Sequence, residues 1–196
     1  VTVLKSPFSK NNLYIKVDMM LKIFIMFLLA MNLCANNDWN ALHEAVFQGN
    51  IQKAKSTLQQ HDINSVNGAG LSALHIAVKK RDTKMLQWLL HQGANIDAQD
   101  KRGFTALYYS VLQNQLPLAK ILLNNGADIN LKNHIGNAPI HNIAHNNRHE
   151  MLDLFLEFDA DLNLKNPHGM SAYDFAQNQG HTGMMMRLKQ LQQLKN

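Results

Sequence analysis

Gly70, Gly103, Gly136 and Gly169 stand 33 residues apart without exception, and this interval constrains the fold more than any other feature of the chain. The same interval relates Leu74, Leu107, Ile140 and Tyr173, and again Leu89, Leu122 and Phe155. Gly93-Ala94-Asn95-Ile96-Asp97 returns as Gly126-Ala127-Asp128-Ile129-Asn130 and, altered, as Asp159-Ala160-Asp161-Leu162-Asn163. Independent features that keep one period over four units imply a stack of similar units, each covering its neighbour's apolar flank.

Each unit reads as turn, helix, helix, loop. Ser72 is placed to cap a first helix through Ala73-Leu74-His75-Ile76-Ala77-Val78. A second helix follows over Thr83 to Leu90, with Met85, Leu86, Leu89 and Leu90 on one face. Gly93 suits the left-handed residue that ends a helix. Ile96 then points inward, while Asn95 and Asp97 face water.

Ser72-Ala73-Leu74-His75-Ile76-Ala77, Thr105-Ala106-Leu107 and Ala138-Pro139-Ile140-His141 resemble the Thr-Pro-Leu-His-x-Ala signature of ankyrin repeats. Leu89-Leu90-x-x-Gly93-Ala94 and Leu122-Leu123-x-x-Gly126-Ala127 match the end of that family's second helix. The resemblance covers about residues 38–190 and implies an all-α solenoid of about five helix-turn-helix units with projecting β-turn loops. The units run over 38–66, 67–99, 100–132, 133–165 and 166–196, within a domain of 36–196. It also implies that the imidazoles of His75 and His141, which share the signature position, tie adjacent repeats by hydrogen bonds. The first and last units depart from the pattern, as end caps must. Tyr108-Tyr109-Ser110 replaces a stretch of small residues, and Ile143 stands at the period position of Ala77, so a looser or bent stack is expected around units three and four.

Formal net charge is +5, but Lys5, Lys10, Lys16 and Lys22 precede residue 35 against Asp18 alone. Without that segment 15 basic and 13 acidic side chains remain, which gives little support to nucleic-acid binding. Met20-Leu21-Lys22 followed by an apolar run from Ile23 to Met31 resembles a secretory signal peptide, with cleavage expected after Ala35. The run is shorter than the ~20 residues of a membrane-spanning helix. Initiation is expected at Met19 or Met20, with residues 1–18 an upstream extension; residues 1–35 are thus not part of the mature domain. Two other readings of the segment are an apolar helix over 20–33 packed on the repeats and acylation of Cys34. Cys34 is the sole cysteine, so no intramolecular disulfide forms, and the mature chain suits an oxidising compartment.

His141, His145 and His149 recur at helical spacing, which can bring imidazoles to one metal, but the signature role of His141 outweighs this. No phosphate loop, His-Glu-x-x-His helix or catalytic triad is present, and Asp97, Asp100, Asp128 and Asp161 read as loop residues for solubility and turns. No enzymatic activity, cofactor or metal is expected. Trp88 reads as core or boundary packing with a binding hot spot as the alternative, and Met184-Met185-Met186 as cap packing with a docking patch as the alternative.

The resemblance implies that partners meet the turns and first helices, which line a concave groove. The period places Leu71, Lys101, Arg102, Phe104, His134, Ile135, Asn137, His168 and Met170 on the turns, and Lys79, Lys80, Leu112, Gln113, His145 and Asn146 on the first helices. Lys79, Lys80, Lys101 and Arg102 around Phe104 suit an acidic protein surface, or else form a solvated face with Phe104 folded back. Charge reversal at Lys101 and Arg102 is expected to weaken binding without lowering thermal stability. The chain therefore reads as a non-catalytic adaptor exported by a bacterium to the periplasm. A secreted effector docking on a host protein and an immunity or inhibitor protein remain open, and neither nucleic acid nor, beyond the signal segment, membrane is an expected partner.

Overall fold

The computed structural model describes residues 39–194. Cys34, the apolar run before it and the Ala35 cleavage site lie outside the described residues. Among the described residues ten helices follow one another: α1 Ala41–Phe47, α2 Ile51–Thr57, α3 Ala73–Lys79, α4 Thr83–His91, α5 Ala106–Leu112, α6 Leu116–Asn124, α7 Pro139–His145, α8 His149–Glu157, α9 Ala172–Asn178 and α10 Thr182–Leu194. They form five antiparallel pairs in an all-α repeat solenoid. None of these helices is long and apolar enough to cross a membrane.

Why each first helix starts where it does follows from its cap. The side chains of Asn40 and Thr105 accept the N–H groups of His43 (2.9 Å) and Tyr108 (3.1 Å). In unit four Ala138 has no capping oxygen, and Pro139 at the first helical position needs none for its own nitrogen. There the His141 Nδ1 accepts the Ala138 N–H at 3.0 Å instead. The second helices bury Met85, Leu86 and Leu89, then Leu118, Leu122 and Leu123, then Met151, Leu152, Leu154 and Phe155. Every residue of the 33-residue leucine series except Tyr173 is at most 1% exposed. Tyr173 belongs to the fifth unit, where α10 packs with Met184 and Leu188 buried and Met186 exposed.

Between first and second helices the chain reverses through one left-handed residue: Gly49, Arg81, Asn114, Asn147 and Gly180, with φ of 68, 60, 54, 56 and 71°. Arginine is the poorest choice in that set, because its Cβ crowds the following carbonyl. Arg81 is exposed. Arg81→Gly is therefore expected to stabilise the chain by about 0.5–1 kcal/mol, read as a higher urea midpoint. At the ends of the second helices Gly93 and Gly126 are left-handed as expected, and Asp159 adopts the same conformation at φ 55°.

Each turn is a finger closed by two backbone bonds. In unit three the Asp100 N–H donates to Phe104 O (3.0 Å) and the Gly103 N–H to Asp100 O (2.8 Å), with Gly103 left-handed. Fingers then join one another: the Lys101 N–H donates to Ala69 O (3.1 Å) and the His134 N–H to Arg102 O (3.0 Å). The next rung would come from residue 167, but Pro167 has no N–H to give.

Around units three and four the larger side chains are taken into the core. Ile143 is fully buried, and Tyr108 and Tyr109 are 4% and 5% exposed. Tyr108 occupies the period position of His75 and His141, and its hydroxyl lies 3.4 Å from the Asn133 Nδ2 of the next finger. It fills the place of the bridging histidine with a longer reach.

Candidate partner-binding face

Fingers and first helices share one face, and its polar skeleton is repeated. Asn67, Asp100, Asn133 and Asn166 each present Oδ1 to two N–H groups of their own finger at 2.8–3.2 Å. Of the two roles expected of Asp100, turn formation holds and solubility does not, for it is 4% exposed and folds its finger. Asp97, expected to face water, is half-buried and accepts the Asp128 N–H of the next unit at 2.9 Å, as Asn64 and Asn130 do for Asn95 and Asp161.

The signature histidines do tie repeats together. His43 Nε2 meets Ser65 O (3.0 Å), His75 Nε2 meets Phe104 O (2.9 Å), and His141 Nε2 meets Leu164 O (3.0 Å) and Met170 O (3.2 Å). Their Nδ1 atoms accept the N–H groups of Asn40, Ser72 and Ala138. The proton therefore sits on Nε2, which donates to the neighbouring finger. Burial lowers the pKa of all three below the usual histidine value, against the raising effect of the carbonyls they face. With both nitrogens engaged, His141 has no lone pair left for a metal. Among the described residues no three His, Cys, Asp or Glu side chains are grouped to hold one.

Of the residues expected to meet a partner, the structure gathers Lys79, Arg102 and Phe104. Lys79 Nζ lies 4.8 Å over the Tyr109 ring, and the Arg102 guanidinium lies 4.6 Å over Phe104 and 2.8 Å from the Tyr109 hydroxyl. Phe104 is not a projecting anchor. It is half-buried, stacked on Tyr108 at 4.6 Å and edge-on to Tyr109. Lys80 does not join the cluster, for its Nζ lies 4.1 Å over Phe47 of the preceding unit. Lys101 is exposed beside Arg102, and its carbonyl meets His134 Nδ1 at 3.2 Å.

The remaining residues spread along the same fingers and helix ends. Ile135 stands out at 68% exposed, His134 and His168 are exposed, and Leu71 is half-buried. Asn137 accepts from Asn166 Nδ2 at 3.0 Å, and Met170 Sδ from Asn178 Nδ2 at 3.8 Å. Leu112 is half-buried with its carbonyl taken by Arg148 (2.9 Å), Gln113 accepts from Gln115, His145 lies edge-on to Phe175, and Asn146 bonds back to Asn142. Trp88 is half-buried against the core.

Sequence reasoning missed Tyr109 as an organiser of this face and read Asp100 only as a loop and turn residue, although a lone carboxylate in an asparagine series was a signal for its second contact. Arg102→Glu would place a second carboxylate beside buried Asp100, so charge reversal there is not neutral for stability, contrary to the sequence-based expectation. Charge on the face is one-sided. On the fingers and first helices of units two to four, residues 66–80, 99–112 and 132–145, Asp100 is the one acidic residue, against Lys79, Lys101, Arg102 and Lys132, with Lys80 turned back to Phe47. Acids lie instead on α8, where Glu150, Asp153 and Glu157 line a cavity of about 340 Å³ with Leu116, Pro117, Lys120 and Leu154, and Lys120 pairs with Glu157 at 3.3 Å.

A family pattern of ankyrin repeats in three copies matches residues 42–133, and one of ankyrin repeats in many copies matches residues 113–156. Over 64 residues the chain is 38% identical to delta-latroinsectotoxin-Lt1a of Latrodectus tredecimguttatus, covering 32% of this chain and 5% of the toxin. Over 69 residues it is 30% identical to the probable 26S proteasome regulatory subunit p28 of Saccharomyces cerevisiae, covering 34% of this chain and 30% of that subunit. The matched segments therefore span less than a third of either relative's length. Both family patterns rest on the same unit of finger and helix pair that the fold repeats, so the chain is an ankyrin-repeat protein, a protein-binding module of a generally non-catalytic kind.

Proposed function

We propose that this chain is an adaptor that binds an acidic segment of a partner protein on the finger face of units two to four. The observation that carries the reading is the charge of that face: Lys79, Lys101, Arg102 and Lys132 stand on it, and its single carboxylate, Asp100, is buried. Such a surface steers an acidic partner to itself and repels a basic one. The yeast relative, named as a regulatory subunit of a larger assembly, is consistent with a role in holding proteins together. The basic and apolar pattern of Lys22 through Met31 supports export, and with it work in the periplasm of a bacterium.

A photo-crosslinking residue at Ile135 tests the face in the chain's own cells. It is expected to give a partner adduct that is lost in the Lys101→Glu/Arg102→Gln chain, while the same residue at exposed Lys84 on α4 gives none. Binding of the captured partner to the double variant should weaken about tenfold or more, with the thermal midpoint lowered by no more than about 3 °C. Equal adducts from both positions would remove the finger face from consideration. Fractionation of the same cells, with N-terminal sequencing, tests export: a chain found in the cytoplasm with residues 20–35 intact would end that part of the reading.

A further inference from the structure

Three of the four fingers fold around an asparagine, so the turn itself needs no charge. Asp100 in unit three uses the extra oxygen elsewhere. Its Oδ2 accepts the Tyr109 hydroxyl at 2.7 Å and lies 3.7 Å from Arg102 Nε. The Tyr109 oxygen in turn accepts from Arg102 Nη2 at 2.8 Å, and Phe104 lies under the guanidinium at 4.6 Å. Carboxylate, phenol and aromatic face therefore fix one guanidinium whose side chain is 63% exposed. Its Nη1 has no hydrogen-bond partner among the described residues and remains free to donate. The ammonium of Lys79 sits over the ring of the same tyrosine.

We propose that Asp100 is a positioning residue that holds Arg102 ready to grip a carboxylate of the partner, with Lys79 as the second cation of a carboxylate-reading clamp. A free arginine loses rotamer freedom when it binds, and one already held does not. A guanidinium presents parallel N–H groups that match the two oxygens of a carboxylate, which an ammonium cannot do. Asp100 is nearly inaccessible, so it does not itself meet the partner. The clamp deepens the acidic-partner reading above and rests on it.

Selection of displayed random peptides on the whole chain tests both, with affinities of the selected peptides measured on variants. The wild-type chain is expected to enrich peptides rich in Asp and Glu. Arg102→Gln should weaken them roughly tenfold or more, and Arg102→Lys should not restore binding. Asp100→Asn should weaken them roughly two- to tenfold while the far-ultraviolet spectrum is unchanged, since asparagine folds the other fingers. In the Arg102→Gln background Asp100→Asn should then add nothing, a coupling that a purely structural role would not give. Acidic peptides whose affinity ignores Asp100→Asn, or loses as much with Arg102 absent, would overturn the positioning role and leave the acidic-partner reading standing. Selection that enriches no acidic side chains would end both.

Discussion

Gly103→Ala is expected to destabilise the array by about 3 kcal/mol, whereas Gly126→Ala costs no more than about 1 kcal/mol. Both glycines are left-handed, with φ of 77° and 85°, so both alanines carry similar backbone strain. Part of that strain is offset in each case because alanine also restricts the unfolded chain. The surroundings differ. A methyl group at Gly126 meets nothing within 4 Å, while one at Gly103 would lie 2.5 Å from the His134 nitrogen and 2.9 Å from the Asn133 carbonyl carbon. That nitrogen carries the N–H that joins finger four to Arg102 of finger three. The added carbon therefore has to push the two fingers apart and break the rung between them. Stability in a solenoid is close to a sum of units and nearest-neighbour interfaces, so a weakened interface divides the stack. Urea unfolding of Gly103→Ala should show a lower midpoint and a broader transition than Gly126→Ala. Equal losses in the two variants would mean that close finger contact is not what the glycine period serves.

That contrast marks what could and could not be read along the chain. The period showed that Gly103 matters, but Gly93 and Gly126 also stand 33 residues apart, for the different task of ending a helix. Only the neighbouring backbone separates the two tasks. Helices were legible because their caps and apolar faces are local in sequence. The series Asn67, Asp100, Asn133 and Asn166 was equally periodic, yet polar loop residues look the same whether they face water or backbone N–H groups. Tyr108 was hidden because it fills a histidine's place with a different chemical group. Lys79 and Lys80 were alike as adjacent cations at a helix end. About 100° of helical rotation sends one forward to Tyr109 and the other back to Phe47, a divergence the chain order does not display. The face was therefore legible as a region, and its internal wiring was not.

Acid should destabilise the stack well above the pH at which carboxylates titrate. Unfolding free energy is expected to fall between about pH 7.5 and about pH 5.5, with His43, His75 and His141 each contributing to the loss. All three side chains are 0% exposed, and burial lowers their folded pKa values below the ordinary 6.5. The sign follows from proton uptake. Below about pH 6.5 the unfolded chain binds protons at these sites and the folded chain does not, so stability is full above that pH and drains as the pH falls toward the folded values. Geometry gives the reason: a protonated His75 would point an Nδ1–H at the Ser72 N–H it now accepts, at 3.1 Å, and break the entry to α3. Asp100 responds in a separate, lower window. Burial alone would raise its pKa, but the Tyr109 hydroxyl and the N–H groups of Phe104 and Arg102 outweigh burial and hold it below 3.8. Its contribution is present above about pH 4 and is lost only as the pH falls further. Urea titrations at the two higher pH values isolate the histidines. His75→Gln should be less stable at about pH 7.5 yet lose less on acidification, because one of the three linked protonation sites is gone. An unchanged pH slope in that variant would place the acid sensitivity somewhere other than the bridging imidazoles.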